Sequence, residues 1–151
     1  MHNSAVKIAF TALCAYAAMD VNTGSNMFGI FESFELPAVP GEVRRFFIAL
    51  FLDARDKDFD TKHLIRLHLV DPQKKPTPVD VTFALDTPPR PTDPRGRTRA
   101  NLSIEVGGLV FTQYGEYLLI IEDNGKRIAS EIIGVRKPGE GTVRIQIEGA
   151  K

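Results

Sequence analysis

The sequence predicts an all-β domain, an antiparallel Ig-like or C2-like β-sandwich of about eight or nine strands. Three observations carry this. Apolar and polar residues alternate through Val79–Leu85, Ala100–Val106 and Val143–Ile147, the mark of a strand with one buried face. Such stretches recur at roughly 8–12-residue spacing, with Gly, Pro, Asn or Asp between them. Asn124-Gly125 then supplies a tight hairpin, because both residues tolerate the positive φ of a type I′ turn.

The elements follow in order. A strand over 6–18 places Val6, Ile8, Phe10, Ala12, Cys14 and Tyr16 on one face, with a helix as the alternative because of its alanines. Asp20–Ser25 is a turn. A second strand covers 27–35 and stops at Pro37 and Pro40-Gly41. The third, 43–53, is apolar on both faces, which suits a central strand. Phe47 and Phe51 on its second face need a cover: the N-terminal strand, the C-terminal tail or another copy of the chain. A strand over 61–70 carries His63, Ile65, Leu67 and Leu69 on one face and Lys62, Arg66 and His68 on the other. Strands over 78–86 and 98–106 flank a proline-rich loop, Thr87–Arg97, and Gly107-Gly108 ends the later one. Strands over 116–122 and 127–135 form the Asn-Gly hairpin. If directions alternate, turns near Asp20, Asp56, 87–97 and Asn124 share one end of the sandwich. Those near Pro40, Lys74 and 107–114 share the other. The division is a domain over 1–137 and a tail over 138–151 with one further candidate strand, 142–148.

A chain of 151 residues favours one domain and buries about 68–70% of its extended surface. Lys plus Arg and Asp plus Glu both number 19, a net charge of zero. Nucleic-acid binders usually carry a basic surplus, so no nucleic-acid partner is expected. Cys14 is the only cysteine, which rules out an intrachain disulfide and fits a reducing, cytoplasmic setting. The alternative is secretion, with residues 1–17 as a signal peptide ending at Ala15-Tyr16-Ala17. No run reaches the roughly 20 apolar residues of a membrane-spanning helix.

Few motifs carry chemistry. Asp53, Asp56, Asp58 and Asp60 crowd one turn and are the candidate calcium ligands. However, Thr61 and Leu67 stand where an EF-hand loop needs Gly and Glu, and Arg55 and Lys57 offset the field. A solvated turn is therefore favoured. His63 and His68 point to opposite faces and cannot share a metal. No nucleophile elbow or glycine-rich phosphate cradle appears, and no cofactor is expected. Arg90, Arg95 and Arg97 form the main basic patch, with Arg99 beside them and no interleaved aromatics. Tyr117 reads as a structural tyrosine whose hydroxyl ties down the preceding corner.

Ala12-Leu13-Cys14-Ala15-Tyr16-Ala17, Phe28-Gly29-Ile30-Phe31, and the run from Asn101-Leu102 through Gly108-Leu109-Val110-Phe111, Gly115-Glu116-Tyr117 and Asp123–Ala129 form a further pattern. With these pieces the chain resembles a family of small bacterial single-domain β-sandwich proteins of unknown function, over roughly residues 8–135. The resemblance implies that the first strand belongs to the folded domain, and it transfers no catalytic residues. The expected function is therefore non-enzymatic: binding to a protein partner or self-association, with Phe47, Phe51, Arg90, Arg95 and Arg97 as candidate contacts. The alternatives are a small hydrolase or transferase with its site near 87–99, and a calcium-dependent membrane-docking module.

Overall fold

The computed structural model describes residues 6–20, 24–54, 62–86 and 98–139. They form nine strands: β1 (Lys7–Asp20), β2 (Gly24–Phe31), β3 (Ser33–Glu35), β4 (Gly41–Ala54), β5 (Lys62–Val70), β6 (Pro76–Asp86), β7 (Thr98–Phe111), β8 (Gly115–Asp123) and β9 (Lys126–Arg136). No helix occurs among the described residues, so none there is long and apolar enough to cross a membrane. One sheet has the order β2-β1-β4-β7 and the other β3-β9-β8-β5-β6. The candidate strand 142–148 lies outside the described residues.

Alternation builds the core. In β4, Phe46, Ile48, Leu50 and Leu52 are buried against Ile65, Leu67 and Leu69 of β5 and Leu119 and Ile121 of β8. Packing such side chains away from water contributes about 1.5–3 kcal/mol each. Val79, Val81, Ile104 and Val106 face the same core but stay half-buried. They line a cleft of about 280 Å³ on the side of the sandwich where β6 and β7 run.

Five expectations are revised. The residues read as one strand over 27–35 form two: β2 pairs antiparallel with β1, while β3 pairs parallel with the end of β9. The chain crosses between sheets near Glu32, so β3 runs opposite to β2. That extra reversal moves the Asp20 turn to the end that holds Gly41, Val70 and Phe111. The turns near Pro40, Lys74, 107–114 and Asn124 keep the predicted sorting, whereas those near Asp56 and over 87–97 lie outside the described residues.

The face of β1 also changes along its length. A bulge between Ile8 and Phe10 adds one residue and inverts the pattern. Val6 and Ile8 therefore meet the core between the sheets, whereas Ala12 and Cys14 belong to an outer cluster. Gly107-Gly108 does not end β7, which runs on to Phe111. Gly108 takes a φ of +65° while Val43 still pairs with Leu109 and Arg45 with Gly107. Finally, the strand read as 78–86 begins at Pro76, at a sheet edge where proline needs no donor.

Turn chemistry follows expectation. Asn124 and Gly125 take φ values of 50° and 83°, as a type I′ hairpin requires. Asn124 also stitches this hairpin to β5: its Oδ1 accepts from Leu64 N–H at 2.9 Å and its N–H donates to Leu64 O at 2.9 Å. Tyr117 is buried, and its hydroxyl donates to Gln113 O at 3.0 Å. It is the corner tyrosine its sequence context suggests.

Candidate interaction surface

The outward face of the β2-β1-β4-β7 sheet is unusual because its middle is apolar. Cys14, Ala49 and Ala12 form a small-residue floor, and Phe47 lies beside them, 6% exposed. The rings around them come from three strands. Tyr16 meets Phe47 edge-on at 5.4 Å and lies 6.2 Å from Phe28. Phe10 meets Phe51 edge-on at 5.5 Å. The Arg45 guanidinium sits 4.9 Å over the Phe47 ring, a cation–π contact, and bonds Glu105 at 2.9 Å. The N-terminal strand thus supplies the cover that Phe47 and Phe51 need, as a neighbour within the sheet rather than a layer over it. The cover is partial: Phe10, Tyr16, Phe28 and Ile30 remain 46%, 45%, 63% and 59% exposed. Cys14 is fully enclosed, and burial pushes its thiol pKa up.

Among the described residues, the four terminal strands of the two sheets differ in kind. β3 is three residues long and carries Glu35. β6 carries Pro76, Pro78, Asp80 and Asp86. β7 carries Arg99 and Glu105, and kinks at Gly108. These are devices that blunt strand-to-strand pairing. β2, Gly-Ser-Asn-Met-Phe-Gly-Ile-Phe, has neither charge nor proline over eight residues. Its outer rim, Phe28 and Ile30, continues the aromatic face.

The end of the sandwich opposite Gly41 and Phe111 holds a buried polar group. His63 Nδ1 donates to Asp123 Oδ2 at 2.8 Å, and Val6 N–H donates to the same oxygen at 2.9 Å. Neither side chain of the pair is exposed. Asp123 therefore joins the starts of β1 and β5 across the two sheets. Asp123 Oδ1 has no hydrogen-bond partner among the described residues. In the sequence Asp123 merely precedes the Asn124-Gly125 hairpin; its place in the inward row with Tyr117, Leu119 and Ile121 is the signal of its role.

Asp53 is 4% exposed and pairs in register with Lys7 and Arg99. Asp56, Asp58, Asp60, Arg90, Arg95 and Arg97 lie outside the described residues. His63 and His68 do face opposite sides: His63 is in the core and His68 lies 3.8 Å from Glu122. Among the described residues no group of three or more His, Cys, Asp or Glu could hold a metal. On the exposed face of β5 and β6, Arg66 makes a two-pronged contact with Asp80, at 3.0 and 2.8 Å. The Arg66 hydrogen bond holds the Asp80 carboxyl below its ordinary range, and the Arg66 pKa is raised in turn.

Among the described residues, fold and surface define a two-sheet, all-β domain with an apolar outer face and an edge strand, β2, that carries neither charge nor proline. The chain belongs to the DUF6941 family of unknown function, whose model matches residues 9–136. A comparison with curated proteins gives no match. Among solved structures, the chain is similar to part of the Pseudomonas fluorescens alkylpurine DNA glycosylase AlkC bound to DNA containing an abasic site analogue. That likeness has a TM-score of 0.50 and 13% sequence identity, and covers 87% of this chain and 30% of the other. At that identity it shows the fold alone.

Proposed function

We propose that this protein is a non-enzymatic, Ig-like binding module that assembles with a second copy of itself through β2. The observation that supports this is the contrast among edges. Three carry charged residues or prolines, and β2, although it turns at Gly29, carries neither while presenting Phe28 and Ile30 beside exposed Tyr16. An exposed edge offers unpaired N–H and C=O groups, so its natural partner is another strand. Two β2 strands related by a two-fold axis would pair antiparallel and join both sheets into one. The zero net charge gives little self-repulsion. Phe47 and Phe51 support the apolar face from below rather than contacting the partner.

Static light scattering between about 1 and 100 µM tests the reading, a range that brackets ordinary dimer affinities. Wild type is expected to gain mass towards a dimer, and Phe28→Lys/Ile30→Lys to stay monomeric with an unchanged circular dichroism spectrum. A wild-type chain that stays monomeric throughout contradicts the proposal.

A further inference from the structure

We infer that the side of the sandwich between β1 and β9 is a binding slot for an extended, basic peptide strand from another protein. β2 pairs with β1 only from Leu13 onward, and β3 pairs with β9 only at 134–136. Among the described residues, Lys7–Ala12 and 126–133 therefore pair with no strand on this side. These two open strand edges flank one cleft of about 290 Å³. Its floor is core: Leu13, Leu119 and Ile133 are buried. Its lips are Phe10, Ile30 and Ile132, the last 62% exposed.

Three features give the occupant its chemistry. Open backbone edges need an extended peptide, because only a strand presents N–H and C=O groups at matching spacing. An apolar floor beneath a strand takes every second side chain. The ionisable side chains lining the cleft among the described residues are Glu32 and Glu131, with no cation among them, so a Lys or Arg on the peptide is matched. Thr11 adds a fourth feature. It occupies the inward row of β1, opposite Leu50, where a sealed core would hold an apolar residue. It lines the cleft, and its buried Oγ1 has no hydrogen-bond partner among the described residues. The occupant is thus a segment with alternating apolar residues and at least one basic residue, lying along the line β2 would follow if it continued.

This slot shares Ile30 with the β2 edge but not Phe28, so a variant at Phe28 alone tells the two proposals apart. The probe is a phage-displayed random dodecapeptide library panned on the full chain. Enriched peptides are expected to alternate apolar residues and carry Lys or Arg. Binding should weaken about tenfold or more with Thr11→Phe, which fills the cleft, and the preference should turn acidic with Glu131→Lys. The second variant changes an exposed residue and keeps the test decisive if the first misfolds. Phe28→Lys should leave peptide binding unchanged. Failure to enrich any peptide, or enriched peptides indifferent to Glu131→Lys, would overturn the inference. It is also overturned if a chain ending at Gly139 binds peptide while the full chain does not, since residues 142–148 would then be the occupant.

Discussion

Asp123→Ala is the most informative single substitution for the fold. Asp123 Oδ2 accepts from Val6 N–H and His63 Nδ1, with both side chains wholly enclosed. A buried donor that loses its acceptor costs about 1–3 kcal/mol, so two give about 2–6 kcal/mol. Removing the unpartnered Oδ1 offsets part of this, leaving about 2–4 kcal/mol. For a chain of this size, that lowers Tm by roughly 4–16 °C. Urea unfolding followed by far-UV circular dichroism and tyrosine fluorescence reads it, since the chain has three Tyr and no Trp. His63→Leu/Asp123→Leu is expected to lose less than Asp123→Ala, because it removes the His63 Nδ1 donor together with its acceptor. An Asp123→Ala loss within the ~0.5 kcal/mol typical of surface changes would refute the clamp between the sheets.

Three further outcomes are expected. Gly29→Ala should cost about 1–2 kcal/mol, because Gly29 has a φ of +63° and a new Cβ would stand 2.9 Å from the Cβ of Ala15; an unchanged urea midpoint would contradict the β1–β2 register. Cys14 should resist an aromatic disulfide reagent in the native chain and react once it is unfolded, and rapid native labelling would contradict its burial. Since Asp80 is depressed by Arg66, its contribution is present above the ordinary carboxylate range and is lost as pH falls through the folded value. The stability gap between wild type and Arg66→Gln should therefore narrow on acidification, and a gap that widens would show the pairing misplaced.

The strand skeleton was legible in the sequence because period two is a strong signal wherever one face is wet. Val79–Leu85 and Ala100–Val106 alternate as read, and Asn124-Gly125 turns as its φ preferences demand. The β1 bulge was not legible. One extra residue leaves composition unchanged while exchanging the two faces, so Ile8 and Phe10 looked alike in sequence but lie on opposite sides. The β2–β3 break was hidden for a related reason: a crossing between sheets needs only the short Glu32 link, with no glycine or proline to mark it. Gly107-Gly108 misled in the other direction, since glycine permits a kink without requiring the ladder to stop. At the surface, the doubly apolar third strand pointed to the outer aromatic face. The exposed side chains that matter, Phe28 and Ile30, could be recognised only once β2 was known to be an edge. The buried His63–Asp123 pair joins residues 60 apart, and spacing alone cannot bring such partners together.

Amide hydrogen exchange across Gly24–Phe31, measured at rising protein concentration, tests edge pairing most directly. Amides of β2 that do not bond β1 should exchange freely in dilute solution and slow as copies associate, while those of β6 stay unchanged. Exchange in β2 that is independent of concentration, or protection that survives Phe28→Lys/Ile30→Lys, would contradict assembly through this edge.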